Sequence, residues 1–71
     1  MVTLKDIQNN LAIAIRQSGL TQTELGKRLG VSQQTISHYL KGDKLPALDT
    51  FANLCAIIDV NPQDILSERP F

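Results

Sequence analysis

The chain has one cysteine, Cys55, and one histidine, His38. A lone thiol excludes a disulfide framework and any multi-cysteine zinc site, and a lone imidazole excludes a histidine-rich metal centre. Long apolar runs are missing too. The longest, Leu11 to Ile15 and Leu54 to Ile58, are five residues each, far short of a membrane span. Asp6, inside the first ten residues, argues against a secretory signal. No nucleophile, base and orienting group recur together, so neither an enzyme nor a cofactor is expected. At 71 residues the chain is one folding unit, since domains run roughly 50–250 residues. A single cytoplasmic domain is the expectation.

Net charge is also absent, which at first sight counts against a polyanionic partner. Its distribution is uneven. Residues 1–45 carry Lys5, Arg16, Lys27, Arg28, Lys41 and Lys44 against Asp6, Glu24 and Asp43, a balance of +3. Residues 46–71 carry Arg69 against Asp49, Asp59, Asp64 and Glu68, a balance of −3. Such a chain can present one mildly positive face while its average stays neutral. The competing reading is a solvated surface with chance clustering.

What the sequence does have is punctuation. Thr3 with Asp6 is shaped like a capping box, and Thr21 with Glu24 fits that motif fully. An apolar residue before each cap pairs with one at the fourth helical position: Val2 with Ile7, and Leu20 with Leu25. Ser32 repeats the staple through Val31 and Ile36, and Asn61 through Val60 and Ile65, with Pro62 at the first helical position. Gly19, Gly30 and Gly42 stand where helices should stop in left-handed caps. These signals bound helices near 3–18, 21–29, 32–41 and 61–66. A further segment near 47–58 places Leu48, Phe51, Leu54, Cys55 and Ile58 at helical spacing, although Ala47 offers no side-chain cap. No alternating strand pattern competes. The expected fold is all-α, a compact five-helix bundle over residues 1–66 followed by a frayed tail at 67–71.

The second and third helices form a unit. Leu25, Leu29, Val31, Ile36, Tyr39 and Leu40 supply their buried faces, and Gly30 supplies a tight turn. Gly26 lies where the next helix must cross, and a larger side chain there would hold the two apart. Two short helices joined in this way make a helix-turn-helix. With Ile36, Tyr39 and Leu40 inward, the third helix turns Gln33, Gln34, Ser37, His38 and Lys41 outward, with no acid among them. Glutamine can bond bidentately to adenine N6 and N7 in the major groove. Gln33 and Gln34 sit in the first turn, the end that usually enters that groove. Gln34 and His38 are one turn apart on one face. A solvated helix would more often carry Glu–Lys pairs here.

The run from Leu20 to Gly42, LTQTELGKRLGVSQQTISHYLKG, resembles the helix-turn-helix of the phage repressor and Cro family, also called the xenobiotic-response-element type. Leu45 to Phe51 (LPALDTF) and Asp59 to Leu66 (DVNPQDIL) match its fourth and fifth helices, so the resemblance covers residues 4–66. It implies a lambda-repressor-like five-helix fold that binds palindromic operators as a homodimer and regulates transcription. Carried over by position, Gln33, Gln34 and His38 face bases. Gln22 holds a phosphate and braces Gln33, and Ser32, Ser37, Lys41 and Lys44 lie on or near the backbone. The chain departs from the family at Gly26, where alanine is more usual, and at Ala47, where a capping serine is common. Ile15 and Leu40 stand where some members place an Arg–Glu pair.

Cys55 is expected as a buried structural thiol, since nothing basic lies one turn away to activate it. His38 has no second ligand at metal spacing. Leu4, Ile7, Leu11, Ala14 and Ile15 form the inward stripe of the first helix, with Ile13 on the far side. Ile57, Leu66 and Phe71 are candidates for a dimer patch, because reading helices in such dimers must stand about 34 Å apart. The expected function is a sequence-specific transcriptional regulator of the repressor type, cytoplasmic and associated with the nucleoid, partnered by double-stranded DNA and a second copy, with no membrane partner and room for an additional domain. The same fold also serves antitoxins and restriction-system controllers. A protein-interaction module on this scaffold would show an acidic or apolar stripe over 33–41, and this stripe is neither.

Overall fold

The computed structural model describes residues 1–69 and 71. Five helices follow one another: α1 (Leu4–Gln17), α2 (Gln22–Leu29), α3 (Gln33–Lys41), α4 (Leu48–Ile57) and α5 (Pro62–Ile65). Each start is set by the residue just before it. Thr3 and Thr21 both close full capping boxes with Asp6 and Glu24, and the Ser32 hydroxyl accepts the Thr35 N–H at 3.1 Å. These bonds satisfy donors that a helix start leaves open. Asn61 caps α5 by accepting the Gln63 N–H at 3.0 Å. Ala47 makes no side-chain cap, so α4 begins on backbone geometry alone.

Stops are equally local. Gly30 and Gly42 take φ of +80° and +78°, a left-handed conformation that L-residues adopt at a cost. The Gly42 turn is a Schellman motif, with Gly42 N–H bonded to Tyr39 O at 3.3 Å and Asp43 N–H to His38 O at 3.3 Å. Helix α4 ends the same way without glycine. Asp59 takes φ +57°, and Val60 N–H bonds to Cys55 O at 2.9 Å, aspartate being among the few residues that tolerate this region.

Helix α1 packs on α3 and α5, α2 packs on α3 and α4, and α4 also meets α5. Leu11, Leu25, Ile36, Leu54 and Ile65, one from each helix, are fully buried at the centre, with Cys55, Tyr39 and Phe51 around them. Burial pushes the Cys55 thiol and the Tyr39 phenol up from their ordinary pKa values, consistent with the structural role expected for the cysteine. No helix among the described residues is long and apolar enough to cross a membrane.

Three expectations need correction. Leu4 and Leu48, placed on inward stripes by periodicity, are 66% and 84% exposed. Both open their helices, where the neighbouring elements no longer reach. The buried arc of α1 is instead wider toward its middle, adding Asn10 and Ala12, and Ile13 is half-buried in a hollow with Leu40 and Arg16. Of the tail expected to fray, Ser67, Arg69 and Phe71 are tied to α1. Asn10, 3% exposed, donates from Nδ2 to the carbonyls of Ile65, Ser67 and Arg69 at 3.1, 2.9 and 3.2 Å. Its Oδ1 accepts the Phe71 N–H at 3.2 Å. Two amide hydrogens are thus shared among three acceptors, and Phe71 packs its ring against the core.

Between α2 and α3 the backbone folds tightly. The Gly26 carbonyl accepts both Gly30 N–H at 2.8 Å and Val31 N–H at 2.9 Å. A Cβ on Gly26 would lie 2.8 Å from Val31 O and 3.4 Å from Gln33 N. What the missing methyl admits is therefore the turn itself, not only the crossing helix.

These contacts set three expectations. Gly26→Ala gains about 1 kcal/mol in helix propensity but drives a methyl into a backbone oxygen, where overpacking costs roughly 1–3 kcal/mol. The variant should therefore be less stable in urea unfolding. Asn10→Ala should cost about 1–3 kcal/mol and speed hydrogen exchange at Phe71 N–H. Glu24 carries a pKa lowered by the Thr21 backbone N–H first, then by the Thr21 hydroxyl, with smaller contributions from Arg28 and Lys27. Its folded-state pKa lies below the unfolded one, so its contribution is present above the ordinary carboxylate range and is lost as pH falls through the lowered value. Glu24→Gln should flatten that part of an acid unfolding profile.

Candidate nucleic-acid interface

The α2–α3 turn decides what α3 can present. Because Ile36 and Tyr39 are anchored in the core, the opposite side of α3 is held outward as a fixed face. Gln33 and Gln34 open that face, both exposed. Among the described residues no hydrogen bond engages either side-chain amide, so each keeps a carbonyl acceptor and two donors for another molecule. One turn further on stand Ser37 and His38, both half-buried, and then exposed Lys41.

Lys44 is exposed in the loop after α3, and Lys27 and Arg28 are exposed on α2. Among the described residues neither Lys41 nor Lys44 forms an ion pair. The first turn of α3 adds backbone N–H groups, and a helix start favours anions. Ser32, expected near a phosphate, has its hydroxyl engaged locally: besides capping Thr35 it lies 2.9 Å from the Thr35 hydroxyl. Gln22 is half-buried at the start of α2, and among the described residues no hydrogen bond joins it to Gln33. The α3 face thus brings Gln33, Gln34, Ser37, His38 and Lys41 together on a single helix.

One contact on this face was not visible in the sequence pattern. His38 Nδ1 lies 2.9 Å from Asp43 Oδ1, with the two side chains 40% and 55% exposed. The Schellman turn at Gly42 brings them together by folding the chain back over the end of α3. A local signal existed in the left-handed glycine between them. Among the described residues no group of acidic, histidine or cysteine side chains is arranged to hold a metal ion.

The residues named for self-association are spread more widely. Leu66 is 46% exposed and shares a hollow with Phe71 and Val2. Ile57 does not line that hollow and is half-buried against its own core.

Comparison with known proteins agrees with this geometry. Residues 11–65, from the middle of α1 to the end of α5, match the helix-turn-helix family. The fold is similar to the solution structure of the SOS-response transcriptional repressor LexA from Eubacterium rectale, with a TM-score of 0.81 and 29% sequence identity over 97% of this chain and 77% of that one. No curated protein sequence matches the chain. The chain belongs to the helix-turn-helix family of the Cro and C1 repressor type, a family of non-catalytic DNA-binding domains.

Proposed function

We propose that the domain is the operator-reading part of a transcriptional repressor, that α3 enters the major groove, and that two copies bind a palindromic site. The observation that carries this reading is the pair of uncommitted amides on the first turn of α3, projected outward by a turn packed closely against Gly26. Gln33, Gln34 and His38 read base edges. Gln22, Ser37, Lys41 and Lys44 contact phosphates through their side chains. Ser32 does so through the backbone at the helix start, since its hydroxyl is occupied. Likeness to a protein described as a transcriptional repressor supports the sign of regulation.

A palindromic site calls for two copies whose reading helices meet successive turns about 34 Å apart. We assign the hollow at Leu66 and Phe71 to the second copy, with Ile57, which does not line it, as a separate contact on α4. The neutral net charge implies weak nonspecific binding, with discrimination resting on base contacts.

Selecting sites from a random duplex pool tests the reading, which expects two half-sites in inverted order about one helical turn apart. Gln34→Ala should lose about 1–3 kcal/mol at one base-pair position. Lys44→Ala should weaken binding to all sequences alike and lower the salt slope of the dimer by about 2, one contact from each copy. With about six phosphates neutralised per dimer, affinity should fall roughly a thousandfold between about 50 and 200 mM salt. Unchanged binding of Gln34→Ala to every operator variant would overturn the base-contact assignment.

A further inference from the structure

We infer that Asp43 is a positioning residue that determines which base His38 reads, by holding the imidazole in the tautomer whose outer nitrogen accepts a hydrogen bond. The inference rests on the reading of α3 as the base-contacting helix and deepens it. Asp43 itself stays off the bases and acts through the ring.

The 2.9 Å contact joins Nδ1 to a carboxylate oxygen. An ionised carboxylate only accepts, so the proton of that bond sits on Nδ1. In the neutral ring this leaves Nε2 bare, as an acceptor. Among the described residues nothing in the chain bonds Nε2, and the side chain is 40% exposed. An acceptor in the major groove matches the amino groups of cytosine N4 and adenine N6. A donor in the same place matches guanine O6 and N7, thymine O4 or adenine N7. One proton position on one ring therefore separates cytosine, which only donates, from guanine and thymine, which only accept, while adenine can meet either tautomer.

The arrangement is built into the fold. Gly42 at φ +78° and the Asp43 N–H bond to His38 O at 3.3 Å fix the aspartate backbone two residues beyond the helix. The carboxylate reaches back from there across five residues of sequence. A freely rotating loop residue would not hold the ring in one orientation.

The test uses the 71-residue chain at pH 8.5, well above the ordinary imidazole pKa of about 6.5. Long-range 15N–1H NMR should show the His38 proton on Nδ1 in the wild type and on Nε2 in Asp43→Ala, with Asp43→Asn, whose amide oxygen can still accept, restoring Nδ1. Duplex selection with the same proteins should then show one altered position. His38→Ala identifies it by losing preference there. The wild type and Asp43→Asn should favour cytosine over guanine and thymine by about three- to tenfold, the range of one hydrogen bond. Asp43→Ala should favour guanine or thymine. A merely structural role for Asp43 would weaken all sequences together and would not be rescued as a change of base. A proton on Nε2 in the wild type overturns the inference, as does Asp43→Ala keeping the wild-type order of cytosine against guanine and thymine, and both leave the reading of Gln33 and Gln34 standing. A wild-type chain that enriches no sequence overturns the reading and this inference with it.

Discussion

The close approach of the α2–α3 turn to Gly26 is the constraint on which the rest depends. One carbonyl receives two N–H groups, and the space a methyl would take is filled by Val31 O at 2.8 Å. Relaxing that contact would tilt α3 against α1 and α2 together, since α3 packs on both. The tilt would move the core anchors Ile36 and Tyr39 and the outward glutamines by the same rotation. Stability and recognition therefore share one backbone contact. The methyl-free position gives up about 1 kcal/mol of helix propensity to keep it.

Much of this fold was legible in the sequence because its boundaries are made by short-range chemistry. Capping residues, staples, Pro62 and the left-handed glycines act within four or five residues, so helix starts and stops agree with the structure to about one residue. The end of α4 was legible only in part, since Asp59 performs the role that glycine performs elsewhere. Periodicity assigns a face to a helix but not the place where its neighbours end. That is why Leu4 and Leu48 lie on the correct side of their helices and yet in solvent.

Asn10 shows what local reading leaves out. It sits three residues after Ile7 and four before Ala14, within the apolar stripe of α1, where a polar side chain calls for buried partners. Those partners are backbone groups 55 to 61 residues away, and no local rule could name them. The consequence reaches the assembly surface. By binding the tail, Asn10 places Phe71 against the core and beside Leu66, so the patch assigned to the second copy is shaped by a polar residue on the first helix. The candidate reading face was more legible, because exposure of Gln33 and Gln34 follows from burying Ile36 and Tyr39 on the same short helix. Asp43 was missed because its meeting with His38 depends on a reversal of chain direction at Gly42.

A carboxylate beside a face meant for DNA needs a physical reason to be tolerated. Unpaired, Asp43 would repel phosphates between Lys41 and Lys44 and offset part of their attraction. Directed at the His38 ring, its charge is taken up by a hydrogen bond within the protein, while both lysines remain without acidic partners among the described residues. The chain has only a small positive excess in its first 45 residues, so attraction to the backbone is weak and little of it can be given up. On the proposed reading the domain discriminates through the hydrogen-bonding pattern of a few side chains rather than through charge. In that setting the position of one imidazole proton carries more weight than it would on a strongly basic surface, where phosphate contacts would dominate binding and mask the difference between one base and the next.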